Sequence, residues 1–288
     1  PRRALVLRGG GALGAYRAGV YAALRGTQRP PDWIAGVSIG AINAALIAGN
    51  APEQRVGRLR EFWELVSSGP AQRLPSWLAT REMLNQWSAT MASVVGVPGF
   101  FEPRRTPALL LGTAAPLLSV YDTSPLKSTL ERLVDFDRLN DNGIRVSVGA
   151  VNVRTGNSVY FDNTQQRLTV DHIMASGALP PGFAPVTIDG EDYWDGGIVS
   201  NTPLQYVLDL HPRSEPLVVL QVDLFSARGL LPTTLSEVME RQKDITYSSR
   251  TRMNTDALAA NMILQQASAD LIAKLPPSLR NDPRLVDV

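Results

Sequence analysis

The sequence predicts an α/β fold in which a central sheet is flanked by helices. Two consecutive units of apolar strand, glycine-containing turn and helix open the chain, and a further buried strand is predicted much later, over residues 217–224. The chain has 288 residues, of which 44% are hydrophobic, so it can bury a full core. We therefore expect one domain over residues 1–288, with a helical C-terminal extension over residues 225–288.

The composition excludes several classes of function. Lys and Arg number 28 and Asp and Glu number 27, so the net charge of +1 gives no field that would attract nucleic acid. The chain contains no cysteine, which removes disulfides, thiolate metal sites and cysteine nucleophiles. With only His172 and His211 available, a histidine-built metal site is not expected. The expected chemistry therefore uses oxygen groups, with no metal and no cofactor.

No segment of the sequence has the pattern of a leader or a membrane span. The most apolar stretch, residues 108–118, is interrupted by Pro116 and is too short to cross a bilayer. We expect a cytoplasmic protein that contacts a membrane peripherally and transiently if it contacts one at all. The sequence does not indicate an oligomeric state.

The first unit contains a glycine loop. Residues 3–7 are a predicted strand, residues 9–14 read Gly-Gly-Gly-Ala-Leu-Gly, and residues 15–24 have the pattern of a helix. Backbone N–H groups in such a loop can approach an anion closely. One use of these donors is to stabilise the oxyanion of an acyl-transfer intermediate.

The same glycines allow a competing interpretation. Gly9, Gly11 and Gly14 match the G-x-G-x-x-G spacing of dinucleotide-binding folds. That interpretation requires an acidic residue at the far end of the next strand, where it would bind a ribose. Asp32 instead precedes that strand, so we favour the oxyanion interpretation.

The second unit places a serine on a tight turn between a strand and a helix. Residues 33–37 are apolar, Ser38 follows directly, and an apolar helix is predicted from there to Gly49. Gly36 and Gly40 lie two residues to either side of Ser38, as in a nucleophile elbow. A glycine-flanked turn with an N-cap serine is the alternative, because a single G-x-S-x-G is common.

Residues 69–121 form the least regular part of the sequence, after an amphipathic helix predicted over residues 51–67. We interpret this stretch as an inserted helical or flap segment, and two interpretations of its aromatic residues stay open: packing in a core and transient contact with a lipid surface. Core packing is favoured for the stretch as a whole. It is favoured more strongly for Trp77 and Trp87 than for the Phe100-Phe101 pair, because Gly99 and Pro103 predict a loop there. The other residues considered are Trp77, Met83, Trp87, Met91, Arg104 and Arg105.

The central region is predicted to add helices and a hairpin. Helices are expected over residues 123–134 and 170–178, and residues 144–153 and 158–161 have the pattern of two paired strands. Further helices are expected over residues 203–210 and 236–274.

A carboxylate followed by two glycines stands out in the second half of the chain. Asp195 precedes Gly196 and Gly197, which let the backbone bend closely around the carboxylate and supply N–H donors to it. Asp-Gly-Gly alone is a common turn, so the motif gains meaning only from its combination with the other two.

Taken in order, the three motifs resemble those of the patatin-like phospholipase family. The resemblance implies a three-layer α/β/α fold with a mainly parallel central sheet and hydrolysis of lipid esters without a cofactor. It further implies that Ser38 is the nucleophile and that Asp195 completes a Ser-Asp dyad without histidine. The implied oxyanion hole is the glycine loop, namely Gly9, Gly10, Gly11 and Gly14.

The resemblance covers residues 3–203 and includes the segment 175–180, Ala-Ser-Gly-Ala-Leu-Pro. Two departures are visible. Leu13 stands where the family commonly has Arg or Lys, and the segment after Leu224 matches nothing that can be assigned, which leaves the substrate preference open.

A dyad requires Asp195 to accept a proton directly from Ser38. A free aspartate has a pKa near 3.9 and is a weak base at pH 7, so burial of Asp195 or strong oxyanion stabilisation must compensate. Competing candidates are His211 in a Ser-Asp-His triad, His172, and Asp223 as a second acid. An acyltransferase on the same dyad and a non-catalytic lipid-binding protein also stay open.

Overall fold

The computed structural model describes residues 1–26, 30–68, 95–104, 118–141, 143–200, 202–212 and 215–276. The chain divides into two compact units, Pro1–Leu224 and Phe225–Val288. The predictions that concern Trp77, Met83, Trp87, Met91 and Arg105 lie outside the described residues, as does most of the segment 69–121.

The first unit is built on a mixed sheet, to which seven strands of the described residues belong. Its order is β7-β8-β5-β2-β1-β9, and β6 pairs with β5 as well. Strands β9, β1, β2 and β5 are parallel, whereas β6, β7 and β8 join as antiparallel strands. The strands, including a separate β3-β4 pair, are β1 (Arg2–Leu7), β2 (Trp33–Val37), β3 (Glu102–Pro103), β4 (Tyr121–Asp122), β5 (Arg145–Asn152), β6 (Ser158–Asp162), β7 (Val186–Ile188), β8 (Glu191–Asp195) and β9 (Leu217–Val222).

Helices connect and cover the strands, and short 3₁₀ turns occupy Gly11–Ala15 and Gly196–Ile198. The predicted β5-β6 hairpin and the long C-terminal helix are confirmed. The helices are α1 (Tyr16–Arg25), α2 (Ile39–Ala48), α3 (Arg55–Ser67), α4 (Ser124–Leu133), α5 (Phe136–Leu139), α6 (Val170–Ser176), α7 (Leu204–Leu210) and α8 (Leu235–Ala273).

Both faces of the sheet are covered, which confirms the α/β/α architecture. Every residue of α2 is buried, because this helix is apolar all round and packs between the sheet and α3. The same face of the sheet contributes Leu5 and Leu7 to the core. On the opposite face Val6 is fully buried, and Tyr206 of α7 stacks on Tyr160 of β6 at 4.0 Å between ring centroids.

The pairing around β5 brings two distant strand ends together. One edge of β5 is occupied by β6, and the other edge is shared by β2 and β8. Val37 at the end of β2 pairs with Gly149, and Asp195 at the end of β8 pairs with Ala150. β2 runs parallel to β5 and β8 runs antiparallel to it. The C-terminal ends of β2 and β8 therefore face each other along this edge of β5.

The Phe100-Phe101 pair packs against protein. Both side chains are partly buried, with the ring of Phe101 4.7 Å from that of Tyr121 and 5.4 Å from that of Phe183. Phe100 contacts Phe62 of the core, at 6.4 Å between centroids. This packing favours the core interpretation for the pair at which the sequence left lipid contact most open, because a turn can direct its side chains inwards.

The second unit consists mainly of α8, which begins with a capping box. The Thr234 hydroxyl accepts a hydrogen bond from the N–H of Glu237, and the Glu237 carboxylate accepts one from the N–H of Thr234. Arg241 donates to the carbonyl oxygens of Ser226 and Ala227 and so fixes the segment before the helix. No helix in the described ranges is long and apolar enough to cross a membrane.

Candidate active site

Ser38 lies at the strained junction between β2 and α2. Its φ of 58° and ψ of −129° are rare for a residue with a side chain. A Cβ on Gly36 would lie 2.6 Å from the carbonyl carbon of Gly40, and a Cβ on Gly40 would lie 2.0 Å from the carbonyl oxygen of Leu7. Only glycine fits at either position, so the predicted elbow geometry is present.

The glycine loop lies beside this elbow. Gly40 approaches the backbone of Leu7 and Arg8, the two residues that lead into the loop. Within the loop Gly11 has a φ of 54°, which favours glycine. A side chain on Gly10 would collide with Leu224, and one on Gly14 would collide with Ile39 and Trp63. The structure therefore brings together Ser38 and the loop formed by Gly9, Gly10, Gly11 and Gly14.

Asp195 is the last residue of β8, and β8 and β2 approach each other from opposite directions along β5. Its side chain is buried, with 2% exposed, and it lies beside the elbow, because Val37 and Asp195 pair with the neighbouring residues Gly149 and Ala150 of β5. The N–H of Gly197 donates to a carboxylate oxygen of Asp195 at 2.7 Å. A Cβ on Gly196 would lie 2.7 Å from the carbonyl oxygen of Gly149, so the turn needs glycine to pack against β5.

The environment of Asp195 shifts its acidity towards neutral pH. Burial raises the pKa of Asp195 from 3.8 to about 6, while the hydrogen bonds from Ser38 and Gly197 act in the opposite direction. At pH 7 the carboxyl is thus mostly ionised and a much stronger base than a free aspartate. A buried carboxylate in contact with a hydroxyl can accept a proton from it.

The two histidines have other partners. Nε2 of His211 lies 2.8 Å from the carbonyl oxygen of Glu215, in the turn after α7. His172 closes the capping box of α6, where its Nδ1 accepts a hydrogen bond from the N–H of Thr169 at 3.0 Å. No hydrogen bond found among the described residues joins either histidine to Ser38. The triad alternatives thus gain no support from the geometry.

Asp223 takes part in an ion pair, which leaves it less suited to be a second acid. It accepts a hydrogen bond from Arg8, whose side chain is fully buried next to the glycine loop.

Leu13, the departure from the family pattern, is 44% exposed. Among the described residues, no group of three or more His, Cys, Asp and Glu side chains could hold a metal ion.

One residue at the site was not singled out from the sequence. The hydroxyl of Ser176, at the end of α6, accepts a hydrogen bond from the N–H of Ser38 at 2.9 Å. The only sequence signal was its position in the segment 175–180, since a serine in a short apolar helix has no distinctive spacing.

Comparison with known proteins agrees with the resemblance of the motifs. A family model described as Patatin-like phospholipase matches residues 5–208, and a second one, described as Patatin phospholipase, matches residues 245–288. The chain is 26% identical over 205 residues to patatin-like phospholipase domain-containing protein 6 of Homo sapiens and of Mus musculus. The match covers 69% of this chain and 12% of those relatives, so the chain spans only a small part of their length.

Among solved structures, VipD from Legionella pneumophila matches at 18% identity and a TM-score of 0.43, over 76% of this chain and 49% of that one. The ExoU-SpcU complex of Pseudomonas aeruginosa gives 19% identity and a TM-score of 0.37, over 87% of this chain and 52% of that one.

Proposed function

Given that the chain belongs to the patatin-like phospholipase family, we propose that it is a serine acyl hydrolase that cleaves carboxylic ester bonds of lipids through Ser38 and Asp195. Membership of this family implies lipid acyl hydrolase activity. The single observation that carries the assignment of residues is the meeting of two strand ends along one edge of β5: Val37, which precedes Ser38, pairs with Gly149, and Asp195 pairs with the next residue, Ala150. This pairing brings the elbow and the Asp-Gly-Gly turn next to each other, with the carboxyl of Asp195 buried.

In the proposed mechanism Asp195 accepts the hydroxyl proton of Ser38 as the oxygen attacks the ester carbonyl carbon. The tetrahedral oxyanion is stabilised by backbone N–H groups of Gly10 and Gly11, and by the N-terminal end of α2 directly behind Ser38. Loss of one such donor typically costs about 3 kcal/mol of transition-state stabilisation.

The intermediate then collapses. The bond between the carbonyl carbon and the alcohol oxygen breaks, the leaving alcohol takes the proton from Asp195, and an acyl-Ser38 ester is left. Water, deprotonated by Asp195, attacks this ester. The bond between the carbonyl carbon and the Ser38 oxygen then breaks, Asp195 returns the proton to that oxygen, and the carboxylic acid is released. All the groups required are oxygen groups and backbone amides of this chain.

The test compares the Ser38→Ala and Asp195→Asn variants with wild type, using a soluble nitrophenyl ester and phospholipid vesicles as substrates. We expect Ser38→Ala to abolish hydrolysis, and Asp195→Asn to reduce acylation by about 100- to 10,000-fold, as is typical for loss of a general base. Mapping of fluorophosphonate label onto a peptide that contains Ser38 identifies the nucleophile directly.

His211→Ala and His172→Ala are the matched controls, because both histidines are largely buried and engaged elsewhere. They should retain most of the activity. Unchanged hydrolysis by Ser38→Ala would refute the assignment, and a His211→Ala variant as inactive as Ser38→Ala would establish a triad. Faster acyl transfer to a glycerolipid than to water would identify an acyltransferase, and lipid binding by an inactive wild type would identify a binding protein.

A further inference from the structure

The end of α6 contacts the backbone of both members of the dyad. The Ser176 hydroxyl accepts a hydrogen bond from the N–H of Ser38 at 2.9 Å and donates one to the carbonyl oxygen of Gly149 at 2.6 Å. Two residues further on, the carbonyl oxygen of Ala178 accepts a hydrogen bond from the N–H of Asp195 at 3.0 Å. One short segment, Ser176 to Ala178, is thus bonded to Ser38, to β5 and to Asp195.

These hydrogen bonds lie at the part of β5 that sets the positions of the Ser38 and Asp195 side chains relative to each other. Gly149 pairs with Val37, which precedes Ser38, and the next residue, Ala150, pairs with Asp195. Gly196 packs on the carbonyl of the same Gly149. The Ser176 hydroxyl is bonded to that carbonyl and to the N–H of Ser38. It therefore fixes the backbone of Ser38 relative to the same part of β5 that positions Asp195.

The Ser176 hydroxyl has one proton and can serve as donor in only one direction. Its proton is donated to the carbonyl oxygen of Gly149, so its lone pairs are available to accept a hydrogen bond. The N–H of Ser38 donates that bond. Ser176 has no exposed surface, so water does not compete for either bond. The strained φ of 58° at Ser38 needs such fixed surroundings in order to persist.

We propose that Ser176 is a positioning residue that holds the backbone of Ser38 in register with Asp195. The inference rests on the hydrolase function proposed above. It has a corollary for the oxyanion hole: because the N–H of Ser38 is bonded to Ser176, the nucleophile's own amide is not one of the oxyanion donors. The donors then come from the glycine loop and the start of α2.

The test is Ser176→Ala, with Ser147→Ala as a matched control. Ser147 also lies in the first unit with no exposed surface, and its hydroxyl also accepts one hydrogen bond, from Trp33 at 2.8 Å, and donates one, to Asp162 at 2.7 Å. Each variant thus loses two hydrogen bonds of a buried serine hydroxyl, but Ser147 makes its bonds to residues outside the proposed site.

We expect Ser176→Ala to lower the rate of fluorophosphonate labelling of Ser38, and kcat for a soluble ester, by about 10- to 100-fold, since a small misplacement of reacting groups has effects of this size. KM should stay within about twofold, because Ser176 does not touch the substrate. Ser147→Ala should label at the wild-type rate. Urea unfolding of both variants shows whether they are destabilised to a similar extent.

Labelling by Ser176→Ala at the wild-type rate would overturn the proposal, and so would equal slowing in both variants. Should Ser176→Ala fail to fold, Ser176→Cys takes its place: its thiol fills the site but is a weak donor and acceptor, so slowed labelling is again expected and a wild-type rate again refutes the role. A wild type that is neither labelled nor active would refute the proposed hydrolase function itself, a result distinct from any of these.

Discussion

The carboxyl of Asp195 is held between two opposing influences. Burial disfavours its charge and raises its pKa to about 6, whereas the hydrogen bonds from Ser38 and Gly197 favour the charge. The basicity of Asp195 is therefore increased, while its carboxyl is not kept protonated at neutral pH. This balance is the compensation that the proposed dyad without histidine needs.

A pH profile follows from that pKa. Because Asp195 must be ionised to accept a proton, kcat/KM should rise about tenfold per pH unit below pH 6 and level off above it. The measurement is hydrolysis of an uncharged soluble ester between pH 4 and pH 9 under conditions where the fold is intact. An apparent pKa near 4 would contradict the raised value and show that Asp195 is more hydrated than the structure indicates.

The same shift affects stability. The folded-state pKa of about 6 lies above the ordinary 3.8, so the unfolded chain loses this proton first and the free energy of unfolding falls as pH rises from about 4 to 6. The penalty above pH 6 is about 3 kcal/mol in order of magnitude. Asp195→Asn should therefore be more stable than wild type at pH 8 and nearly equal to it at pH 4. Urea unfolding at both pH values decides, and an equal difference at both would contradict the linkage.

At this scale the sequence predicts the residues proposed to react but not the groups that support them. The motifs around Ser38 and Asp195 are local, since the glycines that shape each turn are neighbours in the chain. Ser176 lies 138 residues from Ser38 in the sequence, and only the folded sheet brings its hydroxyl to the elbow. The raised pKa of Asp195 likewise depends on burial by residues from several elements.

At the scale of elements, the packing of α2 against the end of β1 depends on Gly40. A Cβ there would lie 2.0 Å from the Leu7 carbonyl oxygen, a backbone atom that cannot rotate away. The glycine loop begins immediately after Leu7, so any separation of α2 from β1 also moves the proposed oxyanion donors away from Ser38.

Gly40→Ala should therefore destabilise the fold by about 1–3 kcal/mol, as overpacking typically does, and should reduce activity in the folded fraction. Gly19→Ala is the control: Gly19 lies within α1 and a Cβ there meets nothing within 4 Å. Alanine in place of glycine inside a helix is expected to stabilise by about 0.5–1 kcal/mol. Denaturant unfolding measures both variants, and equal stability of the two would show that α2 can shift freely.

Element prediction was good where the signal is local and poorer where pairing is distant. Residues 4–7 of β1 and the whole of β2 are apolar runs, and a turn sequence at residues 154–157 predicts the β5-β6 hairpin. Strand β8 was interpreted only as an aspartate turn. It has five residues and pairs with β5 across some 40 residues of chain, so no local pattern marks it.

For the whole molecule, the nearly balanced net charge does not show which charged side chains are buried. The chain carries 28 basic and 27 acidic residues, yet Arg8 and Arg17 are both buried in the first unit, with 0% and 2% of their surface exposed. Arg8 has an ion pair with Asp223. For Arg17, none of the three guanidinium nitrogens has a hydrogen-bond partner within the ranges that the structure describes. Composition gives no sign of this, because net charge does not report where the charges lie.

Arg17 is therefore expected to lower the stability of the fold. Burial, and to a smaller extent repulsion by Arg8, lowers the pKa of Arg17 from 12.5 to about 9. Since the folded-state pKa is below that of the unfolded chain, the penalty is fully present at pH values below about 9 and declines only above it. At pH 7 both states carry the charge, and the folded state bears the cost of desolvating it.

Replacing this charge with an apolar side chain of similar length should raise the free energy of unfolding. We expect Arg17→Met to gain about 1–3 kcal/mol at pH 7, the range for relieving a buried group without partners. Arg60→Met is the control, because Arg60 is exposed on α3 and surface substitutions of this kind stay within about 0.5 kcal/mol. Urea unfolding of both variants gives the difference. A large loss of stability in Arg17→Met would mean that the guanidinium is satisfied in solution, and the buried charge would then be an asset to the fold.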